Sequence, residues 1–124
     1  MVRIQYTIIF VSDMSRSISF YRDVVGATLR FESPEWTEFD TGGATLALHK
    51  GEPRIDPGKK PDQTIAGHCQ PGFAVEDMDA FHARMIENKV VVVREPTQEF
   101  GVRIAQYLDP DGLIFSVSDA QHAA

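Results

Sequence analysis

One cysteine in 124 residues, Cys69, has no partner, so an internal disulfide framework is excluded and a reducing compartment is expected. Basic residues are in short supply as well. Twelve Lys and Arg against 18 Asp and Glu give a formal net charge of −6, which argues against a sequence-independent nucleic-acid binder. Long hydrophobic runs are missing. The opening stretch MVRIQYTIIFVSD is too short and too interrupted for a signal peptide or a membrane span, so a cytoplasmic protein without a membrane partner is expected. There is no Ser-His-Asp order, phosphate loop or dinucleotide fingerprint to announce a hydrolase or a nucleotide enzyme. Cys69 has no base nearby except the adjacent His68, and it reads as a structural cysteine rather than a nucleophile.

What is present is an ordinary globular composition, with 43% hydrophobic residues and enough chain for one domain with a real core. The chain also repeats itself. Residues Arg3 to Val11 alternate as a strand, Ser12 or Asp13 caps a helix, and Met14, Ile18, Tyr21 and Val25 recur at helical spacing before Gly26 stops it. Strands are predicted at Thr28–Glu32, Trp36–Asp40 and Ala44–His49. The segment KGEPRIDPGKKPDQTIA, rich in proline and glycine, reads as a linker.

The same order then returns. Val11-Ser12-Asp13-Met14 matches Val75-Glu76-Asp77-Met78, 64 positions further on, and a second amphipathic helix runs from Met78 to about Asn88. Strands follow at Val90–Arg94, Arg103–Leu108 and Leu113–Ser118, the last two joined by the turn Asp109-Pro110-Asp111-Gly112. The fold predicted is α+β: two tandem βαβββ modules, with eight strands forming a curled mixed sheet around a cleft and two main helices outside. Module 1 spans residues 1–50, the linker 51–66 and module 2 67–120 of a single domain.

Strand alternation sorts the side chains into two faces. Ile9, Val11, Leu46, Leu48, Phe73, Val75, Phe115 and Val117 fall on the helix side. Tyr6, Ile8, Phe10, Ala47, His49, Gln70, Gly72, Ala74, Ile114, Ser116 and Ser118 fall on the other. Polar groups on that second face need partners or water, so it reads as a cleft wall rather than a second core layer. Trp36, Phe39 and Phe100 sit where they could flank such a cleft and stack on a flat ligand. His82 reads as lying on the exposed helix face, and Glu99 with Arg103 as a surface pair.

The stretch IIFVSDMSRSISFYRDVVGATLRF, with its strand ending in Val-Ser-Asp, its Ser17, Phe20 and Tyr21, and its Val25-Gly26, resembles the opening of the glyoxalase/bleomycin resistance/extradiol dioxygenase (vicinal oxygen chelate) superfamily. The hairpin YLDPDGLIFSV is similar to that family's Asp-Pro-Asp-Gly hairpin. In metal-dependent members, the resemblance implies one ligand on each of four strands, at positions that here hold Tyr6, Ala47, Gln70 and Ser116. Alanine cannot ligate, and neutral Tyr, Ser and amide groups are poor ligands beside imidazole or carboxylate.

The resemblance therefore implies a small-molecule-binding protein of the bleomycin-resistance type. It would sequester a ligand without a metal in a cleft lined by Tyr6, Ile8, Trp36, Ala47, His49, Gln70, Phe100 and Ser116, and would be a homodimer without nucleic acid or membrane partners. The alternative is a glyoxalase-like lyase, isomerase or dioxygenase. It would use Tyr6 or His49 as acid or base, or a non-standard site at His49 and His68 for Zn, Ni, Mn or Fe, with Glu99 or Glu38 as remote carboxylate candidates. The net negative charge weakly favours a cationic ligand.

Overall fold

The computed structural model describes residues 1–55, 66–99 and 101–119. They divide into two compact units, Met1–Ile55 and Asp56–Ala124.

In the first unit, β1 (Tyr6–Val11) leads into α1 (Met14–Ser19), whose N-cap is Asp13; its carboxylate accepts from the Arg16 N–H at 3.1 Å. The helix continues as a π-helical segment, Phe20–Val25, and stops at Gly26, which takes φ 99° where a side chain would be strained. Then come β2 (Thr28–Phe31), β3 (Trp36–Asp40) and β4 (Thr45–Lys50). The sheet order is β1-β4-β3-β2. β1 and β4 pair in parallel, from Tyr6 opposite Thr45 to Val11 opposite Lys50, and the other pairs are antiparallel.

The second unit repeats this plan. β5 (Gly72–Ala74), α2 (Met78–Glu87), β6 (Val92–Glu99), β7 (Val102–Leu108) and β8 (Ile114–Ser118) give the order β5-β8-β7-β6, with β5 and β8 parallel. Asp77 caps α2 as Asp13 caps α1, accepting from the Ala80 N–H at 2.9 Å. The eight strands thus form two four-stranded mixed sheets, one per module.

Alternation places the cores as predicted. Ile9, Val11, Leu46 and Leu48 are buried with Met14, Ile18, Tyr21 and Phe39 in the first unit; Phe115 and Val117 are buried with Met78, Phe81, Met85 and Tyr107 in the second. The opposite face of the first sheet leaves Tyr6, Ile8 and Phe10 exposed. The turn after β7 is tied by Asp109, whose Oδ1 accepts from the N–H groups of Asp111 and Leu113, both at 2.9 Å, while Gly112 takes φ 84°.

Four expectations need correction. Arg3 to Gln5 lie outside β1. β6 runs on to Glu99, so the residues after Arg94 extend a strand that bulges against β7 instead of forming a loop. Glu99 pairs with Arg94 at 2.6 Å and Arg103 with Asp79 at 2.9 Å, because Glu99 and Arg94 share one bulged strand while Arg103 reaches α2. His82 is half-buried. Its Nε2 lies 2.8 Å from Glu95 and its Nδ1 2.9 Å from the Tyr107 hydroxyl, tying α2 to β6 and β7. Of the linker, residues 56–65 lie outside the described residues.

Two consequences for stability can be measured. The hydroxyls of Ser17 and Thr37 are buried without a hydrogen-bond partner among the described residues. Replacing the Thr37 hydroxyl by a methyl of similar shape should therefore stabilise the fold, by about 1 kcal/mol in a denaturant titration of Thr37→Val. Tyr107 is fully buried, and desolvation, helped by the nearby Glu95 charge, pushes its phenol up to about 12. Because the folded phenol holds its proton above pH 10, where an unfolded tyrosine releases it, stability should fall between pH 10 and 12. Tyr107→Phe should flatten that fall.

Candidate functional site

The open face of the first sheet is built by register. Phe10 lies opposite His49 across the parallel pair, and Trp36 lies opposite the same histidine across the antiparallel pair. Three rings therefore meet in one row of the sheet. Trp36 stands nearly perpendicular to His49 (centroids 6.1 Å, 87°) and to Tyr6 (6.1 Å, 89°), and Phe10 tilts against His49 at 5.4 Å. The His49 ring also holds Nδ1 at 2.7 Å from its neighbour's carbonyl, Lys50 O.

Two residues along β3, alternation returns Glu38 to the same face, opposite Ala47. Its two carboxylate oxygens take different partners. Oε2 accepts from the Trp36 indole N–H at 2.8 Å, and Oε1 accepts from Arg30 Nη2 at 2.8 Å. The same Arg30 nitrogen donates to Thr45 Oγ1 at 2.6 Å. Leu29 lies opposite the buried Phe39, so alternation along β2 turns Arg30 to this open face. The indole N–H first, and the guanidinium second, hold the Glu38 carboxyl below the usual range. Glu38 is thus an ionised clip fixing an indole and a guanidinium side by side.

The open face of the second sheet has a polar centre, with Ile104, Leu108 and Ile114 around it. Ser116 lies between Gly72 on β5 and Gln106 on β7. The Gln106 amide nitrogen approaches Ser116 Oγ at 3.3 Å and Gln70 Oε1 at 3.5 Å, bringing three polar side chains together. Arg94 on β6 is opposite Gln106 and is ion-paired with Glu99.

The predicted residues sort accordingly. Tyr6, Trp36 and His49 come together on the first open face, with Ile8 on the same strand face as Tyr6. Gln70 and Ser116 are joined on the second through Gln106. Ala47 needs correction: it is fully buried, because its methyl group sits below its cross-strand neighbours Ile8 and Glu38, so it offers no contact surface. Gln70 lies before β5 rather than on it, Pro71 intervening. Phe39 faces the core, fully buried beside Tyr21. Phe100 lies outside the described residues.

Arg30 and Gln106 went unseen in the sequence, and Glu38 stood there only as a remote metal candidate. The available signal was the Trp36-x-Glu38 spacing, which puts both on one strand face. A hollow of about 560 Å³ beside the start of α1, lined by Ser12, Asp13, Met14, Glu32, Ser33 and Lys50, contains none of these residues.

The chemistry of the four family ligand positions does not fit a divalent metal. Tyr6, Ala47 and Ser116 offer a phenol, a methyl and a hydroxyl, and only the Gln70 amide is a plausible donor. Among the described residues, no three His, Cys, Asp or Glu gather as a metal cluster, the fallback pair His49 and His68 included. No helix among the described residues is long and apolar enough to cross a membrane.

With this geometry in place, comparison with known proteins decides the family. Residues 3–117 match the model of the Glyoxalase/Bleomycin resistance protein/Dioxygenase superfamily. The chain belongs to this superfamily. It is 29% identical over 112 residues to a metallothiol transferase FosB of Lysinibacillus sphaericus, covering 88% of this chain and 76% of that protein. It is 27% identical over 117 residues to the phenazine antibiotic resistance protein EhpR of Enterobacter agglomerans, covering 89% and 86%. A glyoxalase/dioxygenase structure from Nostoc punctiforme superposes with a TM-score of 0.78 at 20% identity, over 94% of this chain and 89% of that one, and shares the fold.

One measurement checks the Glu38 clip. Because the folded carboxyl is held below its ordinary range, the clip persists above that range and releases Trp36 only as the pH falls through the lowered value. Trp36 is the sole tryptophan, so its emission should titrate in acid with a midpoint below that of an ordinary glutamate. Glu38→Gln should remove the transition.

Proposed function

We propose that the chain binds a planar small molecule on the open face of its first sheet and protects by sequestering it, without a metal and without turnover. The observation that carries this reading is the row of rings on a sheet whose other face is core, Tyr6, His49 and Phe10 exposed and Trp36 half-buried among them. Large apolar surface left in water on a rigid sheet is costly unless a ligand or partner covers it. On the second sheet, the polar trio Gln70, Gln106 and Ser116 offers hydrogen-bonding groups of its own to a polar ligand. Two relatives bear on the reading: one carries the name of a phenazine antibiotic resistance protein, and phenazine is a flat aromatic system. The protein acts as a cytoplasmic homodimer in this reading.

The metallothiol transferase relative favours a second reading, a metal-using enzyme. The donor set at Tyr6, Ala47, Gln70 and Ser116 speaks against it, and no step through a metal is assigned.

Quenching of Trp36 fluorescence by a panel of planar heteroaromatics, phenazine among them, tests binding. Saturable quenching is expected, with the ligand recovered unchanged, and Tyr6→Ala should weaken it about tenfold, roughly 1.4 kcal/mol. Turnover of any bound compound would overturn sequestration. Stoichiometric metal in protein purified without chelator or affinity tag, lost in the His49→Ala and His68→Ala double variant, would overturn the metal-free reading.

A further inference from the structure

Resting on small-molecule binding at the first open face, we propose that this face selects planar aromatic anions, with Trp36 receiving the ring system and Arg30 the carboxylate or comparable acidic group. The observation is how Glu38 divides its oxygens. One holds the indole N–H of Trp36 and the other holds Nη2 of Arg30, so both primary hydrogen-bonding directions of the carboxylate are occupied by fixed partners. Its depressed pKa has the same cause and keeps it in the role of clip across the neutral range.

What remains to meet a ligand is the cation. Arg30 directs its contacts among the described residues through Nη2 alone, to Glu38 and to Thr45 Oγ1. Nε and Nη1, with three N–H donors between them, make no hydrogen bond or ion pair among the described residues, and the side chain is 46% exposed. Both two-pronged edges of a guanidinium include Nη2, so with Nη2 engaged Arg30 has Nη1 left to give a carboxylate oxygen a single charge-assisted hydrogen bond. Trp36 and Arg30 are held by opposite oxygens of one carboxylate, so ring and fork are a fixed short distance apart. A ligand satisfying both has its acidic group attached to the ring system rather than at the end of a long chain. Thr45 holds the guanidinium from β4, the strand that also carries His49, and so restricts the fork before any ligand arrives.

This reverses the preference for a cationic ligand that the net charge of −6 suggests. Long-range attraction from the whole chain is screened within about 8 Å at physiological salt, whereas the Arg30 fork acts at contact distance. Selection is therefore set by the local group.

Three probes of one shape separate the contributions: 2-naphthoate, 2-naphthamide and 2-naphthylmethylammonium, each titrated against Trp36 fluorescence. The naphthoate should bind roughly five- to tenfold more tightly than the amide, a difference of about 1–1.4 kcal/mol, and the ammonium most weakly. Arg30→Gln should bring naphthoate and naphthamide to equal affinity. The preference should also shrink as salt is raised.

Equal affinities in the wild-type protein, preference for the ammonium, or a naphthoate preference that survives Arg30→Gln would each overturn the anion proposal and leave small-molecule binding standing. Absence of saturable quenching by all three probes, with Trp36 shielded from acrylamide in the free protein, would overturn both. It would mean that another copy of the chain covers this face.

Discussion

Parallel pairing of β1 with β4 is the constraint on which the first unit is assembled. Parallel neighbours cannot be joined by a tight turn. The chain must leave the end of β1, cross one face of the sheet through α1 and the π-helical segment, and lay down β2 and β3 before β4 returns alongside β1. That crossover covers one face and leaves the other open. Which residues are core and which are left to meet a ligand follows from that choice, because the register pairs Ile9 with Leu48 on one side and Phe10 with His49 on the other. The second unit obeys the same constraint with β5 and β8.

Within that frame the two open faces have diverged in chemistry while keeping their geometry. Where the first carries Tyr6 and Ala47, the second carries Gln70 and Ser116; where the first carries Glu38, opposite Ala47, the second carries Gln106, opposite Ser116. The first face presents aromatic surface organised by an ionised carboxylate. The second presents amides and hydroxyls organised by one another. The superfamily's best-known use of these positions is to hold a metal, and neither face retains the donors for it. Each carries a side-chain network instead: a carboxylate engaged on both oxygens in one, and hydrogen-bonded neutral groups in the other.

Much of the fold was legible in the sequence, because each signal is local. Two Val-x-Asp-Met motifs mark a strand end, a cap and a helix start, and alternation along β1, β4 and β8 gives the face of every residue. The site was legible only in part. Tyr6, Trp36 and His49 follow from alternation alone. The clip does not, because alternation within one strand gives a residue's face but not its cross-strand partner, and the meeting of Arg30 with Glu38 depends on how β2 pairs with β3. Gln70 was placed on a strand because counting back from Asp77 ignores Pro71, which has no N–H to give to a ladder. Ala47 was placed on the correct face, yet a methyl group flanked by larger neighbours does not reach its surface. His82 was misplaced because one helix turn does not show that a buried tyrosine hydroxyl lies beneath it.

The π-helical segment after α1 bears on how two copies of one module stay superposable. Asp13 and Asp77 are 64 positions apart, but Leu29 and Val92, which sit opposite Phe39 and Tyr107, are 63 apart. One residue more lies between the cap and β2 in the first copy than between the cap and β6 in the second, and the first copy widens its helix there. A regular, unbulged strand would have absorbed that residue only by turning its following side chains to the opposite face. A helix can, by widening a single turn. The segment Phe20–Val25 therefore works as a length buffer, taking up a chain-length change upstream so that the sheet beyond it keeps its phase.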